Sequence, residues 1–230
     1  VSIVLPSYNE ELNIKEAITR IINTLGSNLL EIIIIDDNSS DNTRKIIKDL
    51  NVNKIKLIHR TKEKGLASAI SRGVNESKGK IIGWLDCDLG IPPEELNKLL
   101  IFINDFDIVI GSRFVNQGKD TRKKWISFSS FIINSLCQII LDPRVRDYTS
   151  GFICLNRNVL RDIKINPIGF GEYFIELMYL SLKNKYSIKE VGYIYGDRKG
   201  GVSKSSGNVI KFYILGLSYI KKIFLLKLKY

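Results

Sequence analysis

The sequence predicts an α/β protein: a mainly parallel, Rossmann-like central sheet flanked by helices, closing with amphipathic C-terminal helices. Three observations predict it. Short apolar runs alternate with helically spaced segments through residue 113. The ends of four of those runs pass into polar segments, at 6–10, 36–41, 86–88 and 111–113. After residue 113 the alternation breaks and the chain becomes basic and helical.

Val1–Leu5 reads as a buried strand stopped by Pro6. Ile14, Ile18, Ile21, Ile22 and Leu25 share one helical face, with Asn9 as N-cap and Gly26 as terminator. Ile32–Ile35 is a second buried strand, followed by a helix from about Thr43 to Leu50. Lys54–His59 is a third strand and Leu66–Asn75 a helix. Ile81–Leu85 is a fourth strand, and Pro92-Pro93 starts a helix over Glu94–Asn104. Asp107–Ile110 is a fifth strand. Beyond it come a basic linker (Lys119, Arg122, Lys123, Lys124), a Trp125–Leu141 helix and a strand at Phe152–Leu155. A Phe174–Leu182 helix, a Ser187–Tyr195 strand, a Gly/Ser/Lys-rich loop over Asp197–Ser206 and a terminal helix over Asn208–Tyr230 complete the chain.

With 230 residues, 44% apolar and 26% charged, the chain has the composition of a folded domain with a sizeable core, which excludes disorder and collagen-like repeats. An odd count of three cysteines argues against a disulfide scaffold, and a single histidine, His59, excludes His-rich metal sites. His59 reads as structural or near the pocket, and Trp84 as core. Residues 1–115 hold 15 Lys/Arg against 16 Asp/Glu, whereas residues 116–230 hold 20 against 8. A half so basic calls for an anionic partner: a phosphorylated ligand, an anionic membrane face or nucleic acid. The longest uncharged stretch, Trp125 to Leu141, is wetted by Ser127, Ser129, Ser130, Asn134, Ser135 and Gln138, so it reads as an amphipathic or interfacial helix rather than a membrane span.

In parallel sheets ligands sit beyond the carboxyl ends of the strands, so the four polar segments should converge on one edge. Asp86 and Asp88 flank one residue directly after a buried strand, and alternation aims both carboxylates to one side. Such a pair can hold Mg²⁺ or Mn²⁺, which take oxygen ligands and often bind through one or two carboxylates plus substrate phosphates. Two solvated turn residues would look the same in sequence. Facing them, Asp36 and Asp37 follow four isoleucines; Asn38, Ser39 and Asp41 read as an Asx-type turn capping the next helix. Cys87 reads as a small packed residue rather than a nucleophile.

Three ordered motifs carry a resemblance. They are Val-Leu-Pro-Ser-Tyr-Asn-Glu at 4–10, Ile-Asp-Asp-Asn-Ser-Ser-Asp-Asn-Thr at 35–43, and Asp-Cys-Asp at 86–88. Together they resemble glycosyltransferase family 2 with the GT-A fold. Gly-Ser-Arg-Phe at 111–114, Asp-Tyr-Thr-Ser-Gly-Phe at 147–152 and Asp-Arg-x-x-Gly-x-Ser-Lys at 197–204 are similar to dolichyl-phosphate mannose synthases and related polyprenyl-phosphate glycosyltransferases. The resemblance runs to about residue 215. It implies a GT-A domain over 1–206, with a nucleotide-binding half (1–115) and an acceptor-binding half (116–206), and a separate terminal helix at 207–230.

It further implies hexose transfer from a sugar nucleotide to a polyprenyl or dolichyl phosphate, most simply inverting transfer of mannose from GDP-mannose with Mg²⁺ or Mn²⁺. Pro6, Tyr8, Glu10, Ile35 and Asp37 would line the nucleoside pocket. Asp86 and Asp88 would serve the metal and diphosphate, with Cys87 counted in the same site. Arg113, Arg198 and Lys204 would bind phosphate or sugar oxygens, and Arg122 and Lys123 would join Arg113 at the acceptor phosphate. Asp88, Arg113 and Arg198 are the catalytic candidates. Two positions depart from the pattern: Gly90 stands where the family often has a Gln that assists the metal, and Tyr173-Phe174-Ile175-Glu176 stands for Phe-Gln-x-Glu.

The chemistry agrees with this reading. An acceptor phosphate monoester has a second pKa of about 6, so it is ionised at neutral pH and needs no general base. Cationic side chains must receive it instead. A lipid acceptor also requires access to a bilayer. The 125–141 helix fits an anionic leaflet, placing the protein peripherally on a cytoplasmic membrane face without a span. For 208–230 two readings stand: an interfacial helix, and a helix for an anchoring partner or a second copy. The loop at 197–206 reads equally as a lid and as an ordinary mobile loop. Rival functions are UDP-glucose-dependent transfer, a non-catalytic membrane scaffold and a basic nucleic-acid-binding module. No stacked aromatics or nucleic-acid motif supports the last, so nucleic acid is not an expected partner.

Overall fold

The computed structural model describes residues 1–200 and 209–230. Nine strands and eight helices are described: β1 Ser2–Ser7, α1 Ile14–Leu25, β2 Glu31–Asp36, α2 Thr43–Asp49, β3 Ile55–His59, α3 Leu66–Glu76, β4 Ile81–Trp84, α4 Glu95–Phe102 and β5 Ile108–Ser112, then β6 Lys119–Asp120, α5 Lys124–Ile140, β7 Ile153–Asn156, α6 Val159–Asp162, α7 Glu172–Lys183, β8 Ile188–Gly192, β9 Ile194–Tyr195 and α8 Val209–Lys229.

Seven strands form one sheet in the order β3-β2-β1-β4-β7-β5-β8. All neighbours are parallel except β7, which runs antiparallel between β4 and β5. This is the mixed α/β, mostly parallel sheet that the alternation predicts. Both faces are covered, so the strands are continuous apolar runs: Ile32, Ile33, Ile34 and Ile35 are all fully buried. Each such side chain contributes about 1.5–3 kcal/mol of burial. Val4, Ile33, Ile35 and Trp84 enter the core layer that α3, α5, α7 and α8 close, whereas Ile3, Leu5, Ile32 and Ile34 enter the layer closed by α1 and α4.

Several sequence expectations shift. The first helix begins at Ile14, not after Asn9. Asn9 instead adopts the left-handed region at φ 52°, and its Oδ1 accepts the Ser40 N–H at 2.8 Å, bracing the two loops after β1 and β2. The basic linker contains β6, and the single strand expected at 187–195 is two. It divides at Tyr193, so that β8 completes the large sheet while β9 pairs in parallel with β6. Gly26 ends α1 at φ 49°, as its position predicts. Trp84 is core, and Cys87 is buried with its Sγ 3.2 Å from the Pro6 carbonyl. His59 is exposed and bonded to Asn38 Oδ1 at 2.9 Å.

Candidate active site

The carboxyl ends of β1, β2 and β4, the turn after β5 and the tip of β9 open into one cleft of about 940 Å³. Pro6, Tyr8, Glu10, Asp37, Asp86, Cys87, Asp88, Arg113, Arg122 and Arg198 all line it. Two expected residues do not. Ile35 is sealed in the core, where its side chain packs near Gly73, because strand alternation turns it away from the sheet edge. Lys123 is exposed at the N-cap position of α5, outside the cleft lining. Lys204 lies outside the described residues.

The end of the cleft beside β1 and β2 is fixed by bonds between loops. Asp37 takes the Arg60 guanidinium on Oδ1, with Nε at 2.7 Å, and the Gly65 N–H on Oδ2 at 2.8 Å. Gly65 sits at φ 129°, a conformation a side chain would strain, so glycine lets the β3–α3 loop reach Asp37. Tyr8 is exposed, with the Lys64 ammonium 6.0 Å from its ring centroid. Asp36 is wholly buried and turned inward. It accepts the Ser39 N–H at 3.1 Å and the Ser39 hydroxyl, so it builds the turn and does not enter the cleft lining.

At the cleft floor, Asp86 and Asp88 stand on the turn after β4. Asp88 Oδ1 accepts the Gly90 N–H at 3.0 Å, and Leu89 bends the turn at φ 63°. Beneath Asp86, the Trp84 indole N–H donates to the Tyr173 hydroxyl at 3.0 Å. Burial, with the Asp86 charge adding to it, holds the Tyr173 hydroxyl well above its ordinary pKa. Two carboxylates facing an open cleft form an oxygen donor set suited to a hard divalent cation. No group of three or more acidic, His or Cys ligands occurs among the described residues. The pair fits a hard divalent cation that takes further oxygen ligands from outside these two side chains.

Over this floor lies the 197–200 segment. Arg198 donates to both Glu10 oxygens at 2.8 Å and through Nε to the Gly200 carbonyl at 2.8 Å. The Lys199 N–H donates to the Asp88 carbonyl at 3.0 Å, and its ammonium pairs with Glu16 at 2.7 Å. The loop is thus tied to both motif-bearing strand ends.

The middle of the cleft holds a buried charge network. Arg113 donates to Asp147 through Nε at 2.8 Å and Nη2 at 2.6 Å, and to Thr149 Oγ1 at 2.8 Å. Burial opposes the Arg113 charge, but Asp147 outweighs it and raises the guanidinium pKa above its ordinary value. Arg122 donates to Asp120 at 2.9 and 2.6 Å and to Ser130 at 3.1 Å. Burial would neutralise Asp120, yet the hydrogen bonds and charges of Arg122 and Arg113 hold it below the usual carboxylate range. Past the arginines the walls turn apolar, with Ile126, Ile132 and Ile133 from α5 and Leu215, Leu217 and Ile220 from α8.

Residues 2–164 match the family described as Glycosyl transferase family 2. The chain belongs to that family. It is 39% identical to the dolichol-phosphate mannosyltransferase of Pyrococcus furiosus over 222 residues, covering 93% of this chain and spanning 61% of that protein's length. It is 32% identical to the dolichol-phosphate mannosyltransferase of Saccharomyces cerevisiae, covering 98% of this chain and 87% of the relative. The fold is also similar to that of glucosyl-3-phosphoglycerate synthase from Mycobacterium tuberculosis in complex with Mn²⁺, uridine diphosphate and glucosyl-3-phosphoglycerate. There the TM-score is 0.75 at 16% identity, over 98% of this chain and 78% of that one. The segments that carry the sequence resemblance contribute residues to the cleft. Arg60, Lys64, Asp120, Tyr173 and Tyr195 also build it, and the sequence reading missed those five roles. Asp120 two residues before Arg122 was a usable signal; the Arg60–Asp37 pairing spans β2 to β3 and had none.

Proposed function

We propose that this chain transfers mannose from GDP-mannose to a dolichyl-type polyprenyl phosphate with inversion, assisted by Mg²⁺ or Mn²⁺. The observation that carries the reading is the polarity sequence along one cleft: a polar nucleotide end, paired aspartates, buried arginines, then apolar walls. That order matches a substrate pair made of nucleoside, diphosphate, phosphate and hydrocarbon. The similarity to the dolichol-phosphate mannosyltransferases of Pyrococcus and yeast favours mannose and dolichyl phosphate.

In this reading residues 1–115 form the nucleotide half, 116–206 the acceptor half, and 207–230 the terminal amphipathic helix. Pro6, Tyr8, Glu10 and Asp37 bind the nucleoside end. Asp86 and Asp88 hold the cation, which when bound neutralises diphosphate charge as a Lewis acid. Arg122 and Arg113 orient the acceptor phosphate, whose ionised oxygen forms a bond to the anomeric carbon as the bond to the diphosphate breaks on the opposite face. No general base is required. Arg198 adds positive charge at the departing diphosphate, together with Lys204. Gly90 offers no side chain to the cation, so its remaining coordination falls to the ligand.

No helix among the described residues is long and apolar enough to cross a membrane. The exposed faces of α5 and α8 carry Trp125, Phe128, Phe131, Leu217, Phe224 and Leu228, with Lys124, Lys221 and Lys227 near them. We place this face on the anionic leaflet, where aromatic insertion and lysine attraction combine to give peripheral attachment at a cytoplasmic surface. The test is a donor screen. Purified protein is incubated with a short polyprenyl phosphate and GDP-mannose or UDP-glucose, with Mg²⁺, Mn²⁺ or chelator, and the lipid products are separated. Mannolipid formed only with metal supports the reading; glucolipid, or product formed equally in chelator, rejects its donor or metal part. Phe128→Ser with Phe224→Ser should lower cosedimentation with anionic liposomes, and unchanged cosedimentation would reject the membrane face.

A further inference from the structure

Tyr195 ends β9 in the cleft wall, between the Asp86–Asp88 turn and the arginines at mid-cleft. On one side lies the Asp86–Gly90 turn. A Cβ placed on Gly90 would meet Tyr195 Cε2 at 3.0 Å and Asp88 Oδ1 at 3.2 Å, so the ring fills the room a side chain at position 90 would need. On the other side, the Arg122 guanidinium stands 4.5 Å from the ring centroid and that of Arg113 stands 5.7 Å away.

The ring's place is set by backbone on both flanks. The Tyr195 carbonyl accepts from the Thr121 N–H at 2.8 Å and its hydroxyl at 3.0 Å, and the Gly196 N–H donates to the Gly90 carbonyl at 3.0 Å. Arg122 is clamped from behind by Asp120. The Tyr195 hydroxyl, by contrast, makes no hydrogen bond among the described residues, although its neighbours Arg113, Arg122 and Asp120 are all matched. A phenol is protonated at neutral pH, so the hydroxyl is available as a donor. An uncommitted donor held between carboxylates and guanidiniums suits an anionic oxygen.

We propose that Tyr195 is a further ligand-binding residue: its hydroxyl donates to a phosphate oxygen where donor diphosphate and acceptor phosphate meet, and its ring sets the spacing between Asp88 and Arg122. The proposal rests on the transferase reading and extends it to a residue outside the motif matches.

Tyr195→Phe removes the hydroxyl and keeps the ring. GDP is titrated calorimetrically into wild type and variant with Mn²⁺, and KM for a short polyprenyl phosphate is measured at saturating GDP-mannose. Loss of a hydrogen bond to a charged group predicts about a tenfold weakening in at least one quantity. Weaker GDP binding assigns the contact to the diphosphate; a raised acceptor KM assigns it to the acceptor phosphate. Both values within about twofold of wild type would overturn the ligand contact. Tyr195→Leu also removes the platform under Arg122, so acceptor KM should rise beyond the Tyr195→Phe value; equal KM values would overturn the spacing role. Wild-type protein that neither binds GDP with Mn²⁺ nor transfers mannose would overturn the transferase reading as well, whereas a functional wild type with an unaffected Tyr195→Phe overturns this contact alone.

Discussion

Replacing Asp147 by Asn tests the buried charge network at the centre of the cleft. Asp147 is fully buried and receives three hydrogen bonds from Arg113: the backbone N–H at 2.9 Å, Nε at 2.8 Å and Nη2 at 2.6 Å. The Asn side chain keeps the shape but removes the countercharge and turns one acceptor into a donor. Arg113 is then left buried, with Asp120 at 3.5 Å as its remaining carboxylate. Breaking one side of a buried ion pair costs about 3–5 kcal/mol. At about 2–4 °C per kcal/mol for a chain of this size, the melting temperature should fall by roughly 6–20 °C. The assay is thermal unfolding by circular dichroism, with urea unfolding as a check. A companion double variant, Arg113→Met with Asp147→Leu, should regain much of the lost stability, because an apolar pair of similar volume replaces a costly buried charge pair. It should still show no transfer, which separates the stabilising role of the pair from the proposed phosphate role of Arg113. A melting temperature in Asp147→Asn within about 2 °C of wild type would refute the energetic reasoning.

Three further outcomes are expected. Asp88→Ala should abolish transfer while circular dichroism and melting stay close to wild type, since the residue faces the cleft rather than the core; near-normal turnover would remove its cation role. Arg198→Ala should lower kcat by about tenfold or more while GDP affinity changes by less than about threefold, because its charge acts on the departing diphosphate. Equal losses in both would assign Arg198 to ground-state binding. Burial pushes the Cys137 and Cys154 thiols up to about 12, so at pH 8 neither should react with iodoacetamide in the native protein, while denaturant should release both; rapid native labelling, read by mass spectrometry, would show that the helix and sheet layers over them open.

The central strands were legible because a two-sided parallel sheet writes itself as unbroken β-branched runs, as at Ile32–Ile35. Asp86 and Asp88 were legible because a strand end fixes where their carboxylates go. Asn9 misled because a helix-capping residue type also tolerates the left-handed turn that the β1 and β2 loops require of it. The antiparallel insertion of β7, the β6–β9 pairing and the Glu10–Arg198 bond join segments far apart in sequence, and no local pattern encodes such partners. Ile35 shows the same gap at the scale of one side chain: it belongs to a motif, yet the pleat sends it into the core.

The place of β7 governs the order in which this sheet can be completed. β4 and β5 share no backbone bonds; each is joined to the other only through β7, which arrives at residue 153. A nascent chain that ends before that residue leaves the inner flanks of two apolar strands open, each a template for another chain. Ribosome-bound or truncated fragments of this length should therefore need shielding by a chaperone. The aspartates at the end of β4 and Arg113 after β5 acquire their final separation only when the later half of the protein slots between them.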